Sequence, residues 1–455
     1  MENMNKKFGI LLIGFIFILL LQPMIIAKQT TLISNHDPII ILSNNDFTSE
    51  NGVIGGSGTE NDPFIISDWV IEGDGETDYG IFIENTNVFF IIQNCTIQYF
   101  FKEGDFQYGI YLDNVINGRI VNTTLYKDHQ GIFMKDSHYI QIQKCTINDI
   151  SFEHSEGIQC YYSTNITIRN IQCFNKDIGI LLLDGAKDII ISETDIYACE
   201  SGITGYSSQA PINNIIIDKC RINNSHWEGI VFQVGYRDGF GSGQLTITNC
   251  EIYNNGPAPP GTEAGFAGIE IYYFMDNLIE NCTIYHNGFG INIVECRGTL
   301  IRNCSIFQHN HNLMFASHGI SFLGGGISNG LLIKPNLIEH CTIYDNEIGI
   351  ITSTCLLKIH RNLIHNNSYF GLALYTLSIL SIQNNNIYSN GWDVEGHGAY
   401  AISFAYANMR NNWWGSPQGP GGIGPGDGDT IEKQLSIVRY RPWLTEPVSD
   451  AGRQT

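Results

Sequence analysis

Basic residues are scarce in this 455-residue chain: Lys and Arg number 24 against 45 Asp and Glu, the formal charge is -21, and no basic cluster follows Lys6-Lys7. Nucleic-acid binding rests on neutralising phosphates, so the composition argues against that class of partner. The acidity fits a solvated, soluble exterior instead. Beyond Phe8 to Ile26 no apolar run is long enough to span a bilayer. With Lys6 and Lys7 before that run and Ala27 after it, residues 1–27 have the layout of a secretory signal, or of an N-terminal anchor through residues 8–26 if it stays uncleaved. A secreted or cell-surface location is the expectation. No Cys precedes Cys95, which excludes a lipidated N-terminal cysteine. Helical periodicity is missing as well.

What fills the chain is glycine (48) and tyrosine (22), residues of turns and strands. A Gly-Ile pair recurs at Gly80, Gly109, Gly131, Gly157, Gly179, Gly202, Gly229, Gly268, Gly290, Gly319 and Gly349, and Gly371-Leu372 and Ala401-Ile402 continue the series. The shortest spacing is 22 residues, and longer spacings read as insertions. Within each unit apolar residues alternate in three bursts, as in Ile132-x-Met134, Ile140-x-Ile142 and Cys145-x-Ile147. Period two means strands. Three such short strands per unit suit one triangular coil of a parallel β-helix, an all-β solenoid of about 13 rungs stacked roughly 4.8 Å apart.

Cys220, Cys250, Cys282, Cys304 and Cys341 hold one place on successive rungs, and Thr123, Ile171 and Thr194 substitute at that place earlier. Stacked Cβ atoms about 4.8 Å apart lie beyond the usual ~3.5–4.5 Å of a disulfide, which favours buried free thiols. Asn94, Asn122, Asn170, Asn249, Asn281, Asn303 and Asn384 precede the ladder place and mark a tight corner, because Asn tolerates the left-handed conformation. A second series, Asn255, Asn287, Asn346, Asn367 and Asn390 with His309 in register, marks the corner after the third strand. The chain therefore divides into residues 1–27, an N-terminal cap over 28–78, the β-helix over 79–412 and a Gly/Pro/Trp-rich C-terminal cap over 413–455.

The Gly-Ile…Asn-Cys-x-Ile rung, with GSGTENDPFIIS before it and NNWWGSPQGP after it, resembles the right-handed parallel β-helix proteins of the pectin-lyase-like superfamily, specifically the NosD-like, carbohydrate-binding and sugar-hydrolysis group. The resemblance implies either polysaccharide lyases, hydrolases and epimerases, or a non-enzymatic surface or assembly protein such as a periplasmic copper accessory. It also implies that a polysaccharide lies along the outward face of the Gly-Ile strand. Insertions flank that strand near the middle of the chain, where Trp227, Gln233, Tyr236, Arg237, Asp238, Glu270, Tyr272 and Asn292 are the candidate glycan-binding residues. No residue is singled out as catalytic. Phe82, Tyr111 and Phe133, beside Glu84, Asp113 and Lys135, form a second outward stripe suited to a glycan or to packing under a loop.

Gly396-His397-Gly398 matches one element of the polygalacturonase pattern without its acids, and the Asp-Pro-His triplet of alginate epimerases is absent. Asp427-Gly428-Asp429 is similar to a calcium loop but lacks the remaining oxygen ligands. His309, His311, Met314 and His318 are ligand types suited to copper, although His309 also continues the Asn corner series. The chain is expected to be a monomer.

Overall fold

The structure, a computed structural model, describes residues 34–102, 106–148, 155–235, 242–256, 266–309, 317–325, 334–392 and 397–454. Among them the only helical elements are two 3-10 turns, Asn44–Asp46 and Ser49–Asn51. The strands wind into a right-handed parallel β-helix of three sheets with 16, 16 and 14 strands, each strand pairing with those three before and three after it along most of the rod. The first sheet holds the Gly-Ile strands. Its register does not slip across insertions: Gly229 and Gly268 stand 39 residues apart, yet Ile230 pairs with Ile269.

The inward alternation packs isoleucine on isoleucine, and Ile132, Ile158, Ile180 and Ile203 are almost wholly buried in one such ladder. Each side chain so buried stabilises the coil by about 1.5–3 kcal/mol. The glycine before each isoleucine follows from close approach. A Cβ on Gly131 would lie 2.4 Å from the Gly157 carbonyl oxygen and 2.9 Å from Ile147 Cγ2, and one on Gly202 would lie 2.4 Å from the Gly229 oxygen. This rule corrects the end of the series. Leu372 pairs with Ala399, so Gly398 and not Ala401 holds the glycine place. Alternation alone could not separate the two, because Ala399 and Ala401 both point inward. Of the Gly-His-Gly triplet, Gly398 is accounted for by this backbone contact, and Gly396 lies outside the described residues.

At the corner between the second and third strands, Asn94, Asn249 and Asn303 have φ of 54° and Asn281 has 57°. Their amides bond along the rod, Asn122 Nδ2 to Asn94 Oδ1 at 2.8 Å and Asn303 Nδ2 to Asn281 Oδ1 at 2.6 Å. All twelve cysteines are free and buried, with Cys95, Cys145, Cys220, Cys250, Cys282, Cys304 and Cys341 just inside this corner. Cys250 and Cys304 thiols reach the Ile217 and Ile279 carbonyls at 3.7 Å. Beyond Cys341 the same place passes to asparagine: Cys341 N donates to Asn362 Oδ1 at 2.9 Å, then Asn362 Nδ2 to Asn385 and Asn385 Nδ2 to Asn412, both at 3.0 Å.

The corner after the third strand carries the second ladder. Asn255 Nδ2 donates to Asn287 at 3.0 Å, Asn346 to Asn367 at 3.1 Å, Asn367 to Asn390 at 2.8 Å and Asn390 to Asp429 at 2.9 Å. These amides are buried or nearly so, and stacking them satisfies groups that would otherwise cost about 1–3 kcal/mol each.

Both expected caps also contribute strands. Ile39–Ile41, Phe64–Ser67 and Trp69–Glu72 each pair in parallel with the first full rung, while Phe47 stacks on Phe64 over the open end at 4.9 Å. At the other end Gly428–Gln434 and Ile437–Arg439 add strands and Trp414 is wholly buried. The last residues run back along the third sheet, where Arg453 Nη1 donates to Thr283 Oγ1 at 2.8 Å. Among the described residues no helix is long and apolar enough to cross a membrane.

Candidate functional site

On the outer face of the first sheet, strand pairing aligns Thr204, Val231, Glu270, Asn292 and Ser321 in one column, and Tyr206, Gln233, Tyr272 and Val294 in the next. Four of the expected residues, Gln233, Glu270, Tyr272 and Asn292, are therefore neighbours on three consecutive rungs. Glu270 is the hub. Its Oε1 accepts from the Tyr272 hydroxyl at 2.6 Å and from Asn292 Nδ2 at 2.5 Å. Asn292 Oδ1 in turn accepts from the Ser321 hydroxyl. Burial and the adjoining Glu270 push the Tyr272 phenol far above its ordinary value, so it remains a proton donor.

A second carboxylate completes the arrangement. Glu228 directly precedes Gly229, in the place that Ser201 fills one rung earlier, and its Oε2 accepts from Ser201 Oγ at 3.1 Å. Burial raises the Glu228 carboxyl above its ordinary value, and repulsion from Glu270 adds to the shift. Glu228 therefore keeps its proton to higher pH, while the Glu270 carboxylate is held by two donors. Glu228 is not among the candidates that the sequence pattern singles out. Its signal was the position before the Gly-Ile pair, which the first sheet turns outward.

Trp227 is 47% exposed, beside Phe266 at a ring distance of 6.1 Å. Tyr236, Arg237 and Asp238 lie outside the described residues, as do His311 and Met314. His309 is a member of the buried amide ladder: its Nδ1 accepts from Asn287 N at 3.2 Å, and burial lowers it to about 3. His318 opens the strand His318–Leu323 and stacks on Phe289 at 4.4 Å. Among the described residues no three His, Cys, Asp or Glu side chains converge as a metal site. In the Asp-Gly-Asp turn, Asp427 accepts from Ser416 Oγ and Asp429 from Asn390, so both carboxylates serve the cap.

Two open clefts lie away from the Glu270 hub. One of about 550 Å³ is lined by Glu347, Ser368 and Trp392, and one of about 710 Å³ lies between Arg453 and the Asn249–Asn281–Asn303 corner. The first also carries Asp345. A further feature the repeat concealed is a stack on the outer face of the third sheet, Tyr253, Tyr285, Phe307, Tyr344, His365 and Tyr388, with successive rings 4.8 to 5.4 Å apart and within 12° of parallel.

The family model for the right handed beta helix region matches residues 79–237 and 214–413, and the chain belongs to that family. No protein of curated function matches the sequence. Similar solved structures include the periplasmic alginate epimerase AlgG (12% identity, 83% of this chain and 84% of that one, TM-score 0.41). Others are the Azotobacter vinelandii mannuronan C-5 epimerase AlgE6 A-module (11%, 82% and 88%, TM-score 0.32) and the catalytic domain of GH87 alpha-1,3-glucanase (10%, 90% and 62%, TM-score 0.33). These proteins act on polysaccharides; at such identities the likeness to this chain is one of fold.

Proposed function

We propose that this protein is exported and binds an extracellular polysaccharide along the outer face of the first sheet, with Glu270 at the centre of the bound stretch. The carrying observation is the hydrogen-bonded cluster of Glu270, Tyr272 and Asn292 on one strand face. In this reading Tyr272 and Asn292 orient the Glu270 carboxylate toward sugar hydroxyls. Export is supported by the basic-then-apolar layout of residues 1–27. Affinity electrophoresis of the purified chain through gels containing single polysaccharides tests the binding. Retardation by at least one polysaccharide, lost in Glu270→Gln, is expected; no retardation by any, or equal retardation of both proteins, overturns the reading.

A further inference from the structure

The first-sheet outer face extends well past the Glu270 hub, and its N-terminal third is aromatic. Pairing places Phe82, Tyr111 and Phe133 in the Glu270 column, with Tyr79 and Tyr108 in the column beside it. All five are half-buried. From Phe133 to Glu270 the column runs through Gln159, Leu181, Thr204 and Val231, about 24 Å at roughly 4.8 Å per rung.

Ring orientation distinguishes this patch from the third-sheet stack. There, neighbours such as Tyr285 and Phe307 lie within 4° of parallel, so each ring covers its neighbour's face and only edges meet solvent. Here Phe82 and Tyr111 are turned 50° from one another, and Tyr111 and Phe133 61°. Tyr79 stacks on Phe82 at 4.7 Å and 20° and on Tyr108 at 5.6 Å and 18°, but toward the Glu270 hub Tyr111 and Phe133 are turned from one another, and it is the face of an aromatic ring that packs against the C–H face of a pyranose.

Charge on this face narrows the sugar. Among the described residues of its three outward columns the acids are Glu84, Asp113, Glu156, Glu228, Glu270 and Glu432. The one lysine or arginine there, Lys135, is bound to Asp113 at 3.0 Å, while His318 and His397 stand in the Glu228 column. A polyuronate brings a carboxylate on every ring and would meet this row with like charge, whereas an uncharged chain meets no such repulsion.

Resting on the proposed polysaccharide site, we infer that the Tyr79–Phe133 aromatic platform is a remote subsite of the same groove, and that its occupant is an uncharged glycan chain rather than a polyuronate. Chain length then matters: an oligosaccharide too short to reach from Glu270 to Phe133 forgoes the platform contacts.

The test measures binding to a neutral set (glucan, mannan, xylan) and to polygalacturonate and alginate at low salt. It compares the parent with Phe82→Ala/Tyr111→Ala/Phe133→Ala and with the third-sheet control Tyr285→Ala/Phe307→Ala. Phe133→Gln is added because Gln159 already fills that place one rung later, so the coil accommodates it. The expected result is retention by a neutral polymer, weakened roughly tenfold by the triple change and less by Phe133→Gln, with the control unchanged. Polyuronate binding equal to or tighter than every neutral polymer, or parent-like binding by both platform variants, overturns the inference. If Glu270→Gln still lowers binding in that case, the central site stands without the platform. Binding to no polysaccharide overturns both.

Discussion

Tyr272 and Glu270 share a hydrogen bond of 2.6 Å on the outside of the coil, and the Asn292 amide on the next rung points to the same carboxylate oxygen. None of the three side chains packs in the core, so their removal separates binding from folding. Glu270→Gln and Tyr272→Phe should each weaken polysaccharide retention about tenfold, the range expected on losing a charge-assisted bond, with thermal midpoints within a few degrees of the parent. Calorimetry of the variants alongside affinity gels checks both halves; a large fall in melting temperature would assign these residues to the fold instead.

Asp429 predicts a pH dependence of stability. It ends the amide ladder, accepting from Asn390 N at 3.0 Å and Nδ2 at 2.9 Å, and burial raises it from 3.8 to about 6. The folded state therefore holds a proton that the unfolded chain releases, and the stability this contributes is present below about pH 4 and lost as pH rises through about 6. Asp429→Asn retains an acceptor for both bonds and carries no charge. It should be more stable than the parent by about 1–2 kcal/mol at pH 8, a gain trimmed by the solvent that still reaches the group, and flat across that window. Denaturant titrations at pH 4 and 8 decide it.

The ladder interior responds in opposite directions at two of its places. Asn367 donates to Asn390 Oδ1 at 2.8 Å and accepts from Asn346 N at 3.2 Å, so Asn367→Ala strands buried donors and acceptors and should cost about 2–4 kcal/mol. His309 occupies an equivalent place with a ring whose Nε2 meets no partner among the described residues. His309→Asn should accordingly be tolerated or stabilising, as read from urea midpoints.

Cys220, Cys250, Cys282, Cys304 and Cys341 should resist alkylation until the chain is unfolded. They are buried, and at the same place on an earlier rung burial pushes the Cys145 thiol up to about 11, keeping it out of the reactive thiolate form. Intact-mass measurement after iodoacetamide, with and without denaturant, should show these sites modified only in the second sample; modification of the native protein contradicts it.

Much of the coil is written within a single rung. Alternation over three short bursts sets three strands, glycine before isoleucine marks where backbones meet, and asparagine at the corners sets the left-handed bend; each depends on neighbours a few residues away. From those rules the outward direction of Glu270, Tyr272 and Asn292 also follows. Relations between rungs are of another kind. That Gly398 rather than Ala401 continues the glycine column, and that the thiol ladder passes into Asn362, Asn385 and Asn412, depend on register across insertions of unequal length. Ring tilt in the aromatic platform belongs here too, since the same residue types stack flat on the third sheet. The chain's local pattern sets which way a side chain points, but only the stacking of one coil on the next decides what it meets.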